Sequence, residues 1–90
     1  MMALKFVFTP SAWADYLYWQ TQDKKTLKRI NALLEAAARE PFEGIGKPEP
    51  LRGDLSGFWS RRIDDVNRLV YEATETELNI VACRHHYGDK

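Results

Sequence analysis

Residues Phe58–Tyr87 read FWSRRIDDVNRLVYEATETELNIVACRHHY, and this stretch decides the fold class. It divides into three strand-like runs, Phe58–Asp64, Arg68–Thr74 and Leu78–Tyr87. The breaks between them, Asp65-Val66-Asn67 and Glu75-Thr76-Glu77, are short enough for hairpins. Upstream, Leu4, Phe6 and Phe8 alternate with Lys5 and Val7, as in a first strand with one face more apolar than the other. Pro10-Ser11 interrupts that alternation, and Ser11 is the expected cap of a short helix. Along it Trp13, Tyr16, Leu17 and Gln20 fall on neighbouring rows. Asp23 is the expected N-cap of a second helix, where Leu27, Ile30, Leu34 and Ala37 recur at helical spacing. Lys24, Lys25, Lys28, Arg29 and Arg39 occupy its other side, and Pro41 ends it. From Pro41 to Gly57, three Pro and four Gly lie among polar residues, predicting a long loop with a short strand near Leu51. Loops of that length in small domains are often functional. The expected architecture is α+β: β-α-α, then three or four antiparallel strands, with two helices on one face of a twisted sheet.

At 90 residues and 10.5 kDa the chain is expected to form one domain spanning 1–90. Hydrophobic residues make up 44% and charged residues 29%, the balance of a globule rather than a disordered segment. Thirteen basic and thirteen acidic side chains leave a formal net charge of zero, so any binding to nucleic acid must use a local patch. No stretch approaches the roughly 18 apolar residues of a membrane span, and the first apolar run is too short for a signal peptide. Cys83 has no partner for an internal disulfide and reads as a small buried hydrophobe on a strand. A cytoplasmic protein without membrane association is expected.

Several chemistries fail on spacing. Gly44-Ile45-Gly46-Lys47-Pro48 has Pro where a phosphate loop needs Ser or Thr, and Pro41 replaces its first glycine. His85 and His86, adjacent on an expected strand, point to opposite faces and cannot share a metal ion. No metal or other cofactor is expected. Cys83 and His85 would share a strand face, which leaves thiol chemistry formally open.

Metal-free phosphodiester cleavage fits what remains. Attack by a 2′-hydroxyl needs a base, an acid for the leaving 5′-oxygen and fixed cations for the developing charge. Glu49 lies between Pro48 and Pro50, whose locked φ angles hold its backbone. Arg61, Arg62 and Arg68 sit on two successive expected strands, and Arg84, His85, His86 and Tyr87 close the last. Guanidinium offers phosphate a planar fork of donors, and histidine titrates near neutrality. The same residues read equally as a solvated turn, surface arginines paired with Asp64, Asp65 or Glu72, and a polar edge strand. On chemistry alone, nuclease and binding module both stand.

Five ordered segments go further: Asp15–Gln20, Pro41–Leu51, Leu55–Ile63, Arg68–Tyr71 and Ala82–Tyr87. In wording and order they resemble the YoeB toxins of the RelE superfamily, over about residues 4–87. The resemblance implies a RelE-like, microbial-ribonuclease-like fold and a toxin of a type II toxin–antitoxin pair. It implies a YefM-like antitoxin, a homodimer, and cleavage of mRNA in the ribosomal A site that halts translation. Carried onto this sequence, Glu49 resembles the general base, His86 the general acid and Arg68 the cation facing the pentacoordinate phosphate. Tyr87 resembles the terminal aromatic that orients the scissile nucleotide. Lys47, Arg52 and Arg62 resemble phosphate or ribosomal-RNA contacts.

The chain departs from the family in being neutral, in carrying Arg52 where Lys is familiar and His85 where Tyr is familiar, and in extending through Gly88-Asp89-Lys90. Ribosome affinity is then expected from the Lys24–Arg29 and Arg61–Arg68 clusters. Two alternatives share the superfamily fold: a toxin acting on DNA gyrase, and an antitoxin-binding protein without nuclease activity.

Overall fold

The computed structural model describes residues 3–85. Strand β1 (Lys5–Phe8) leads into helices α1 (Pro10–Gln22) and α2 (Lys24–Arg39). The short β2 (Glu49–Pro50), a 3-10 turn at Gly53–Leu55, then β3 (Trp59–Arg62), β4 (Arg68–Ala73) and β5 (Glu77–Ala82) follow. The sheet order is β1-β5-β4-β3-β2. β2 to β5 pair antiparallel, as expected, whereas β1 runs parallel to β5. Both helices and strands β2 to β4 separate β1 from β5 along the chain, which supplies the long connection that a parallel pair needs in place of a hairpin.

Local chemistry explains the helix ends. Thr9, not Ser11, caps α1: its hydroxyl accepts from the Ala12 N–H at 3.1 Å. Pro10 then occupies the first helical position, where a missing N–H costs nothing. Asp23 closes one helix and opens the next. Its N–H donates to the Trp19 carbonyl, while its carboxylate accepts from the Lys25 and Thr26 N–H groups and the Thr26 hydroxyl. The Thr26 side-chain bond leads the effects that hold this carboxyl below its usual range.

The buried side of α2 is Ile30, Leu33, Leu34, Ala37 and Ala38, with Leu27 at the margin. Ile30, Leu33, Leu34 and Ala37 belong to one core with Leu69, Tyr71, Leu78 and Ile80 of the sheet. Each large aliphatic burial contributes ~1.5–3 kcal/mol. Helix α1 turns a short row inward. Ala12 and Trp19 are buried, while Trp13 and Leu17 stay 47% and 44% exposed. The inward row is Ala12–Asp15–Trp19, because that row meets the chain leaving β5. Trp13 packs at the rim, 5.5 Å from the Phe8 ring and 5.6 Å from the Tyr16 ring.

Arg61 overturns its sequence reading as a surface cation. It is fully buried, because alternation along β3 turns it to the helix side with Leu69 and Tyr71. Its Nη1 donates to the Ile45 carbonyl at 3.0 Å, and Nη2 to the carbonyls of Glu40 and Glu43 at 2.6 and 2.7 Å. Nε donates to the Tyr71 hydroxyl at 2.9 Å, which itself donates to the Pro41 carbonyl at 2.6 Å. Burial holds Tyr71 above the usual phenol range even beside this charge. Gly46 lets the same loop close: it has φ +84°, and a Cβ there would lie 2.6 Å from Leu33 Cδ2.

Replacing Arg61 by Leu should therefore lower stability by about 3 kcal/mol, since three part-buried carbonyls and the buried Tyr71 hydroxyl lose their donor together. Arg61→Lys should recover only part, because one ammonium cannot span the acceptors that the guanidinium joins. Urea unfolding midpoints would measure both.

Candidate functional site

Three short strands set the site by register. Glu49 of β2 lies opposite Ser60 of β3, Ser60 opposite Val70 of β4, and Arg62 opposite Arg68. Opposed residues in an antiparallel pair share a face, as do alternate residues along a strand. Glu49, Ser60, Arg62, Arg68 and Val70 thus share the face opposite the helices. Ser60 and Val70 are buried on it, whereas Glu49 and Arg62 are exposed.

Pro48 and Pro50 are compatible with β2 because it is the sheet edge, where a missing N–H need not break a ladder. Lys47 and Arg52 flank β2 in sequence, and both are exposed. Lys47 has φ +52°, an uncommon conformation for a residue with a Cβ. Arg62 accepts at its carbonyl from Arg29 Nη2 of α2 at 3.1 Å.

Arg68 is only 9% exposed. Its Nη1 donates to the carbonyls of Asp64 at 2.7 Å and Asn67 at 3.1 Å, which aims the guanidinium. Burial pushes the Asp64 carboxyl up, but N–H and side-chain bonds from Asn67, the Val66 N–H and the Arg68 charge outweigh it, and the net shift is downward. His86 and Tyr87 lie outside the described residues.

The last strand is shorter than its sequence suggested. It ends at Ala82, and Cys83–His85 bend away. Helix α1 is the cause. The Cys83 N–H donates to Asp15 Oδ2 at 3.1 Å, Trp19 Nε1 donates to the Cys83 carbonyl at 2.8 Å, and Cys83 Sγ lies 3.7 Å from the Ala12 carbonyl. His85 has φ +67° and belongs to no strand. Strand alternation therefore cannot separate His85 from His86, and the Cys83–His85 pairing dissolves: the thiol is buried while His85 is exposed. Asp15 and Trp19 were missed as site-shaping residues because their partner is 64 or more positions away. Arg84 stacks instead over the Tyr18 ring, its Cζ 3.6 Å from the centroid.

Among the described residues, no three His, Cys, Asp or Glu side chains converge as metal ligands would, and no helix is long and apolar enough to cross a membrane. Among the described residues, two of the grooves that lie away from the Glu49–Arg68 face are apolar in much of their lining. One, of about 490 Å³, is lined by residues including Leu4, Phe42 and Ala73; the other, of about 450 Å³, by residues including Phe6, Trp13 and Tyr16.

A family model described as the YoeB-like toxin of bacterial type II toxin–antitoxin systems matches residues 8–87. The chain belongs to the YoeB toxin family. Toxin YoeB of Streptomyces coelicolor is 56% identical over 84 residues, covering 93% of this chain and all of that toxin. Toxin YoeB of Escherichia coli is 55% identical with the same coverage. The solved YoeB/ParE toxin from Agrobacterium tumefaciens superposes with a TM-score of 0.89 at 46% identity, covering 93% of this chain and all of that one. The toxin in a YoeB–YefM complex from Staphylococcus aureus gives 0.86 at 44% identity, covering 96% and 100%. YafQ of Escherichia coli, at about 20% identity and a TM-score of 0.70 over 92% of this chain and 93% of its own, shares the fold. The RelE-like α+β architecture of this YoeB-family chain thus matches its sequence expectation.

Burial, reinforced by the Asp15 charge, pushes the Cys83 thiol up to about 12. The native thiol should resist iodoacetamide at pH 8 and react only on unfolding. The unfolded chain releases this proton near 9.0 and the folded chain near 12, so stability should fall as pH rises across that window. Unfolding midpoints of Cys83→Ala should show a shallower alkaline slope.

Proposed function

We propose that this YoeB-family toxin is a ribosome-dependent endoribonuclease that cuts mRNA in the A site and so inhibits translation. The observation carrying this reading is the register that sets one exposed carboxylate, Glu49, and two guanidinium groups, Arg62 and Arg68, on a single helix-free face. Glu49 takes the proton of a 2′-hydroxyl, and the freed oxygen attacks the adjacent phosphorus. Arg68, pre-aimed by two carbonyls, faces the charge that builds on the pentacoordinate phosphate. The bond to the 5′-oxygen breaks as His86 donates a proton to it, leaving a cyclic phosphate and a 5′-hydroxyl. Tyr87 orients the scissile nucleotide. Lys47, Arg52 and Arg62 hold flanking phosphates. Each proton movement is assigned to one side chain.

The ribosome is required because the face is small and open, and one acid–base pair there cannot align a flexible strand. Alignment supplies a large share of such a rate. The neutral net charge leaves docking to local groups. With Arg61 buried, these are the exposed lysines Lys24, Lys25 and Lys28 of α2, together with Arg62. The Staphylococcus aureus YoeB–YefM complexes support a YefM-like antitoxin as partner, and the YoeB dimer from the same organism supports a homodimer. Action on ribosomes places the toxin in the cytoplasm.

Primer extension on a defined mRNA, with and without programmed ribosomes, tests the reading. Wild type should leave a single cut in the A-site codon only when ribosomes are present. Glu49→Gln, Arg68→Ala and His86→Ala should each slow it by about 100-fold or more, while His85→Ala should cut like wild type. Cleavage by the Glu49 and His86 variants at the wild-type rate would overturn the assignment. Efficient cutting of free RNA would overturn the ribosome requirement. Intact message with disturbed DNA supercoiling would point to gyrase, and tight antitoxin binding without cleavage to a pure binding protein.

A further inference from the structure

Asn67 lies in the β3–β4 turn and was read from sequence only as a hairpin break. In the structure it touches both the turn that aims Arg68 and the segment that continues from β5. The Asp64 carboxylate accepts from the Val66 N–H at 2.8 Å and the Asn67 N–H at 2.7 Å. It also accepts from Asn67 Nδ2, at 3.2 and 3.1 Å to its two oxygens. A carboxylate can only accept, so the amide nitrogen must face it and Asn67 Oδ1 must face away. That oxygen accepts the His85 N–H at 2.6 Å. The His85 carbonyl accepts the Arg68 N–H at 3.0 Å, and the Asn67 carbonyl accepts from Arg68 Nη1 at 3.1 Å.

The Asn67 side chain thus supplies the acceptor that a strand partner would have supplied beyond Ala82. It holds His85 at φ +67°, a conformation that persists only where surrounding contacts over-determine it. His86 follows one peptide unit later.

We infer that Asn67 is a positioning residue of the proposed ribonuclease site, oriented by Asp64, which fixes the turn that aims Arg68 and the His85 backbone in one register. The inference rests on the proposed assignment of Arg68 and His86. It assigns Asn67 no contact with RNA.

The test is a charge swap. Asn67→Ala removes the side-chain bonds to the Asp64 carboxylate and to the His85 N–H. Asn67→Asp keeps the acceptor for His85 but sets two carboxylates against each other. Asp64→Asn combined with Asn67→Asp restores one donor and one acceptor in reversed order. Single-turnover cleavage on saturating programmed ribosomes should fall about tenfold or more in Asn67→Ala and Asn67→Asp, a shift of the size small misplacements produce. Ribosome affinity and urea midpoint measured alongside should stay near wild type, and the swap should recover most of the rate. Hydrogen exchange at the His85 amide should quicken in Asn67→Ala and slow again in the swap.

Wild-type cutting by Asn67→Ala beside a dead Glu49→Gln would overturn the inference and leave the ribonuclease reading intact. Cutting at the wild-type rate by both Asn67→Ala and Glu49→Gln would overturn both. Should Asn67→Ala fail to fold, Asn67→Asp and the swap decide: a swap no faster than Asn67→Asp overturns the positioning role.

Discussion

A single buried guanidinium sets the conditions for the rest of this structure. The chain leaving α2 has to turn back toward the sheet edge, and its carbonyls have no regular ladder to join. Arg61 gathers those of Glu40, Glu43 and Ile45, and reaches Pro41 through the Tyr71 hydroxyl. Burying a cation is costly unless its donors are matched. Here the match is to carbonyl dipoles, beginning at the C-terminal end of α2, where the helix dipole is itself negative. The arrangement closes the loop that delivers Lys47 and Glu49 to β3. A core residue thereby determines where the outermost strand can lie.

Two adjacent arginines with opposite fates follow from the same geometry. Arg61 and Arg62 differ by one position on β3, so one enters the helix-covered core and the other reaches the open face. A slip of one residue in the β3–β4 register would exchange them, burying the wrong charge and stripping the loop of its donor. Stability and the proposed chemistry therefore enforce a single register. The open face inherits its order from the closed one.

The far end of the site is held differently. Helix α1 takes hold of Cys83 through Asp15, Trp19 and the Ala12 carbonyl, and this draws the chain out of β5 after Ala82. Asn67 receives it on the other side at His85. Between these holds, Arg84 lies over Tyr18.

Much of the frame was legible in the order of residues. Periodicity located both helices, Asp23 declared its cap, the short breaks made hairpins, and the motif wording led to the YoeB family. These signals are local, or are read as words along the chain. The expected strand through Cys83–His85, the Ser11 cap and the outward Arg61 failed for a different reason. Strand-like composition could not reveal a helix pulling at Cys83, nor could arginine's surface preference reveal a loop whose carbonyls needed a buried donor. Thr9 displaced Ser11 because Pro10 suits the first helical position. Sequence by itself determined which residues are available to the proposed chemistry and that Arg62 and Arg68 lie on successive strands. Tertiary structure alone decided which arginine faces outward, where β5 ends and what holds His85, because those choices depend on hydrogen-bond partners distant along the chain.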